Sequence, residues 1–130
     1  MNARDTFLKQ FRGQTIGSIT NQSTDEESFQ NEVLRPILKL QNDLFIASFL
    51  NYIEENKVDF KSKTTEAKLA VIENAIQKDI KFRNEMKGII IALFTTDENR
   101  IDSKNASNLN KRIKNMLLER LKSQVQLFDN

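Results

Sequence analysis

Apolar residues recur along this 130-residue chain at helical rather than strand spacing, in blocks divided by short polar stretches. Phe7, Leu8 and Phe11 predict a first helix within 4–19, with Asp5 as its N-cap. Gly13 and Gly17 then either end that helix or let another backbone come close. A turn over 21–25 leads into a second helix. Ser23 with Glu26, and Thr24 with Glu27, both fit a capping box, and the helix then carries Phe29, Val33 and Leu34. Pro36 must kink that helix or open the next one, because proline has no N–H to donate and its ring clashes with the preceding turn.

From Ile37 to Ile53 the apolar residues lie on nearly every side of the helix. A helix of this kind is either central to a bundle or covered on one side by a second copy of the chain. Leu40, Ile46, Phe49, Leu50 and Ile53 form the candidate association surface. A polar connection over 56–63 follows, with Val58 and Phe60 tucked beneath it. Thr64 or Thr65 caps the next helix, whose stripe runs Leu69, Ile72, Ile76, Ile80, Arg83. One helix from there to Phe94 would be long for a globular domain, so a break near Asp79 or Asn84 is expected.

Ile89 to Phe94 has strand propensity but no alternating partner run or hairpin turn, so it reads as buried helix. Thr95 and Glu98 form another capping box, opening a short helix that ends near Asn105. Ser107 or Asn108 then opens a last helix with a stripe from Leu109 through Ile113, Leu117 and Leu121 to Phe128. The expected fold is all-α: one domain over 1–130, a compact bundle or array of five or six helices, with no sheet.

Composition removes most reaction chemistry. There is no histidine and no cysteine, which excludes a Ser-His-Asp triad, a thiol nucleophile and the usual histidine-bearing metal sites of helical bundles. Three scattered glycines cannot build a phosphate cradle. No catalytic residue, metal or cofactor is therefore expected, a carboxylate-only Mg²⁺ site being the one metal chemistry left open. The densest acidic groups are Glu54-Glu55 and Asp25-Glu26-Glu27. Neighbouring carboxylates on a helix diverge, so these read as solvated or capping groups. A net charge of +2 calls for neither a nucleic acid nor a membrane. No apolar run reaches membrane-spanning length, 1–10 holds no signal-like apolar core, and the absence of cysteine fits a cytoplasmic setting.

Two polar placements stand out. Arg120 falls mid-stripe in the last helix with Gln124 one turn on, and Arg83 extends an apolar stripe with Asp79 one turn before it. A buried guanidinium must meet a carboxylate or several carbonyls. These four residues either form an anion or ligand site in the core, or the arginines lie at stripe edges with their tips in water. The last helix is also basic. Lys111, Arg112, Lys114 and Lys122 are candidate phosphate contacts, but they scatter around the helix and no aromatic residues interleave them for base stacking.

The stretches 34–43, 78–91 and 119–124 resemble a family of small bacterial proteins of about this length, some labelled glyoxalase. The resemblance covers most of the chain and implies an all-α kinship. It supplies no catalytic residue to carry over. Glyoxalase I enzymes use paired βαβββ modules and a metal held by His, Glu or Gln, a pattern from which this chain departs. Three readings result: association with itself or with a protein partner, a glyoxalase-type lyase, and nucleic-acid binding through the last helix.

Overall fold

A computed structural model describes residues 2–12 and 25–129. Gly13, Gly17 and the expected caps at Ser23 and Thr24 lie outside the described residues. Every regular element among those described is helical, and no strand occurs among them. The elements are α1 (Ala3–Arg12), α2 (Asp25–Phe29), a π-helical turn (Gln30–Leu34), α3 (Arg35–Leu40), α4 (Asn42–Glu55), α5 (Thr65–Gln77), α6 (Ile80–Ile91), α7 (Thr96–Lys104), α8 (Ala106–Ser123) and a closing 3₁₀ turn (Val125–Asp129). Counting α2 through α3 as one run gives seven helices among the described residues, slightly more than the five or six expected.

Pro36 sits in the first turn of α3, at the start of a helix as one of the two expectations has it, and the helical run is unbroken before it. A π turn precedes it, with the Arg35 N–H reaching back to the Gln30 carbonyl. The wider turn makes room where the proline ring would otherwise meet the carbonyl four residues back. The break falls at Gln41 instead, between α3 and α4 (φ −93°, ψ 5°). The apolar stretch from Ile37 to Ile53 is therefore two helices, not one.

The chain divides into two compact units. One draws on Met1–Gln41 and Gly88–Ile113. Its core includes Leu8, Phe29, Leu34, Ile37, Ile90 and Phe94, and Phe29 meets Phe94 edge to face at 5.6 Å. Polar residues of α1 bind the turn between α6 and α7. Arg4 donates to the carbonyls of Ala92 and Phe94, both at 2.8 Å, and Arg12 donates to that of Leu93 at 3.0 Å. These carbonyls follow the last turn of α6, where helices leave such groups unpaired. The Asp5 carboxylate accepts from the Thr96 hydroxyl (2.6 Å) and the Thr96 N–H at the start of α7. Asp5 is thus not the N-cap of α1. Asn2 takes that role, accepting the Asp5 N–H at 2.7 Å. Because Arg4, Asp5, Leu8 and Arg12 share the inner face, Phe7 and Phe11 point outward, 61% and 51% exposed and stacked on each other.

The second unit draws on Asn42–Lys87 and Lys114–Asn130. Phe49, fully buried, meets Phe60, Phe82 and Phe128, and Tyr52 stacks beside it. Thr64 caps α5 by accepting the Ala67 N–H. The break expected near Asp79 is present: α5 ends at Gln77 and α6 begins at Ile80. It shifts the register of the Leu69–Arg83 stripe, and Ile80 is left 62% exposed. After α4 the chain turns through Lys57 in a left-handed conformation (φ 53°). The Val58 N–H reaches the Ile53 carbonyl and the Lys57 N–H that of Glu54, the paired bonds of a Schellman ending.

Gly88 lies exposed within α6, and a β-carbon there would meet nothing within 4 Å. Gly88→Ala is expected to raise the unfolding free energy by about 0.5–1 kcal/mol, because alanine loses less backbone entropy in a helix. A urea melt checks this; an unchanged or lower midpoint contradicts it.

Candidate functional site

Helix α4 has three faces, set by its sequence. Phe45 and Phe49 enter the core of their unit. On one flank, Ile46, Leu50 and Ile53 sit at i, i+4, i+7, each partly exposed. On the other, Ser48, Asn51, Tyr52 and Glu55 sit at i, i+3, i+4, i+7. Each flank borders a depression.

The apolar flank opens on a groove of about 360 Å³, with Leu50, Ile53, Val58, Phe60 and Phe128 in its walls and Glu54, Asp59 and Lys61 at its polar rim. Leu50 and Ile53 of the expected association surface are placed here. Ile46 lies on the same helix flank, half-buried. Leu40 is 40% exposed but belongs to α3, beyond the break at Gln41. Phe49 has to be removed from that surface. It is 0% exposed, because four aromatic rings close around it.

The polar flank opens on a cleft of about 200 Å³ that also draws on Asp79, Lys81, Phe82 and Glu85. The Tyr52 and Phe82 rings lie 4.7 Å apart. Burial pushes the Tyr52 phenol above its ordinary pKa, and the nearby Asp79 carboxylate adds to the rise.

The quartet Asp79, Arg83, Arg120 and Gln124 does not form one site. Asp79 caps α6 by accepting the Phe82 N–H at 3.0 Å. Arg83 donates to the carbonyls of Gln77 (3.0 Å) and Ile76 (3.3 Å), closing the end of α5. Both therefore serve the α5–α6 junction that the helix break creates. Arg120 and Gln124 meet Asn42 instead. The Asn42 and Gln124 side-chain amides exchange two hydrogen bonds, at 2.7 and 2.8 Å, and Arg120 donates to the same Asn42 oxygen at 3.1 Å. Burial holds the Arg120 guanidinium below its ordinary pKa. These bonds satisfy half-buried polar groups and tie the first residue of α4 to the end of α8.

The basic residues of α8 have separate roles. Arg112 donates to the Gln30 side chain at 2.7 Å, and Lys122 pairs with Glu73 at 3.3 Å. Lys111 is exposed and Lys114 half-buried. Among the described residues no three acidic side chains come together as a metal site, and no helix is long and apolar enough to cross a membrane.

Sequence reasoning missed two elements: the Arg12–Glu98 ion pair and the Ser48 flank. Arg12 reads as an ordinary charge at a helix end, and its partner lies 86 residues away. The i, i+3, i+4, i+7 spacing of Ser48 to Glu55 was available as a signal, but the apolar residues interleaved with it dominate the pattern. No family model, curated protein or solved structure matches this chain.

Proposed function

We propose that the protein works by association with a second copy of itself, through the flank of α4 that carries Ile46, Leu50 and Ile53. The observation that carries this reading is the open groove beside that flank, walled by Leu50, Ile53, Val58, Phe60 and Phe128. Covering such apolar surface is favourable by about 25 cal/mol per Å² removed from water. The rim supplies the orientation. Glu54 and Asp59 carry one sign and Lys61 the other, so a two-fold pair can set Lys61 of one copy beside an acid of the other. A net charge of only +2 places little repulsion between copies.

Light scattering across the micromolar range tests the reading. The mass is expected to climb from that of one chain toward two. Ile53→Glu, a half-buried position at the groove wall, is expected to hold the protein at one chain while far-UV circular dichroism is unchanged. A single-chain mass for the unaltered protein at every concentration sinks the proposal.

A further inference from the structure

The polar cleft on the opposite flank of α4 shares no lining residue with the groove proposed for self-association. Three carboxylates line it, Glu55, Asp79 and Glu85, against the single cation Lys81. Its charge favours a cation. The carboxylates are not gathered closely enough, among the described residues, to hold a bare metal ion. A larger cation that spreads its contacts suits them better.

Ser48 is the independent observation. It is 7% exposed, it lines the cleft, and its hydroxyl hydrogen-bonds to no group among the described residues. A serine this deep in a helix usually returns its hydroxyl to a carbonyl one turn back. Here the hydroxyl remains available to whatever occupies the cleft. The Tyr52 hydroxyl also has no hydrogen-bond partner among the described residues, and its ring packs on that of Phe82 to give the cleft an apolar wall.

We propose that this cleft binds a small alkylammonium ion, with the ammonium on the carboxylates and hydroxyls and the carbon stem against Tyr52 and Phe82. An ammonium group carries three donors and no acceptor. The cleft offers it carboxylate, hydroxyl and amide oxygens, and an aromatic face attracts a cation in addition. An anionic ligand would face three like charges. A neutral one would leave the carboxylates uncompensated.

The chain provides its own reporter. Tyr52 is the only tyrosine and there is no tryptophan, so tyrosine emission comes from the cleft itself. The test is a titration of the whole protein with diaminobutane at constant ionic strength. Tyrosine emission is expected to change and saturate, whereas butanediol, of similar size but uncharged, leaves it unchanged. Glu55→Gln and Glu85→Gln are each expected to weaken binding about two- to fivefold, as exposed ion pairs do. Ser48→Ala is expected to weaken it as well, and Lys81→Gln to tighten it. Overturning results are a flat titration, an equal response to butanediol, or an unchanged constant in the Glu55→Gln, Glu85→Gln double variant. If that double variant fails to fold, Lys81→Gln decides: unchanged or weaker binding overturns the proposal. The single-chain Ile53→Glu variant is expected to give the same constant as the unaltered protein, which separates this site from the association face.

Discussion

Replacing Glu98 by alanine is expected to lower the unfolding free energy by about 3–5 kcal/mol, the usual cost of leaving one partner of a buried ion pair alone. Glu98 and Arg12 form a two-pronged pair, one contact at 2.6 Å, with side chains 9% and 6% exposed. Glu98 also accepts the Thr95 N–H at 2.8 Å and so completes the capping box of α7. Alanine removes both interactions and leaves the guanidinium with the Leu93 carbonyl. Glu98→Gln keeps the Thr95 bond and should cost less. Urea melts at neutral pH measure both; a loss below about 1 kcal/mol for Glu98→Ala would mean the pair contributes no more than an exposed one.

The same contacts set a pH dependence. Burial pushes the Glu98 carboxyl up, but the hydrogen bonds from Arg12 and Thr95 and the Arg12 charge together outweigh it and hold the pKa below the usual value. The Asp5 carboxyl is also held low, chiefly by the Thr96 hydroxyl. A folded pKa below the unfolded one means that the unfolded chain binds protons first on acidification. The stabilisation is complete above the ordinary carboxyl range, about pH 4, and is lost as pH falls through the folded values. Melts between neutral and strongly acid pH should show this loss, and Glu98→Gln should reduce it.

Phe49→Ala is expected to cost about 3–5 kcal/mol through lost burial and the cavity left behind. Against a total stability of roughly 5–15 kcal/mol, that brings the protein close to unfolding at moderate temperature. Phe49 is fully buried, with its ring centre 4.7 Å from that of Phe128 and 5.8 Å from that of Phe60. Phe49→Leu keeps most of the volume and should lose much less. The pair of variants separates a packing role from a docking one. Phe49→Ala lowers the melting point, whereas Ile53→Glu changes the mass in solution with little effect on the melt. A Phe49→Ala protein that melts like the unaltered chain would contradict the packing described for this unit.

Elements written in neighbouring residues were legible. Thr64 and the Thr95–Glu98 box cap their helices as their spacing indicates, and the α5–α6 break falls at Asp79. Pro36 stands in the first turn of α3 as one expectation has it, but the π turn before it, an uncommon accommodation of its ring, carries no signal in neighbouring residues. Helix α8 starts at Ala106, directly after the C-cap Asn105 and one or two positions before the expected Ser107 or Asn108. The candidate site was legible only in part. Leu50 and Ile53 border an open groove, while Phe49 of the same candidate surface is enclosed, and the polar quartet divided because the helix break moved Arg83 off its stripe.

The sequence by itself determined the helical class, the caps of α5 and α7 and the all-round apolarity of the stretch from Ile37 to Ile53, because these follow from propensities and from bonds spanning three to five residues. The tertiary structure alone decided that Phe7 and Phe11 face outward while Phe49 is enclosed, that Arg12 finds Glu98, and that Asn42 finds Gln124. Those outcomes depend on which faces of distant helices meet. A local period states only that a face exists, and the packing of its partner determines what covers it.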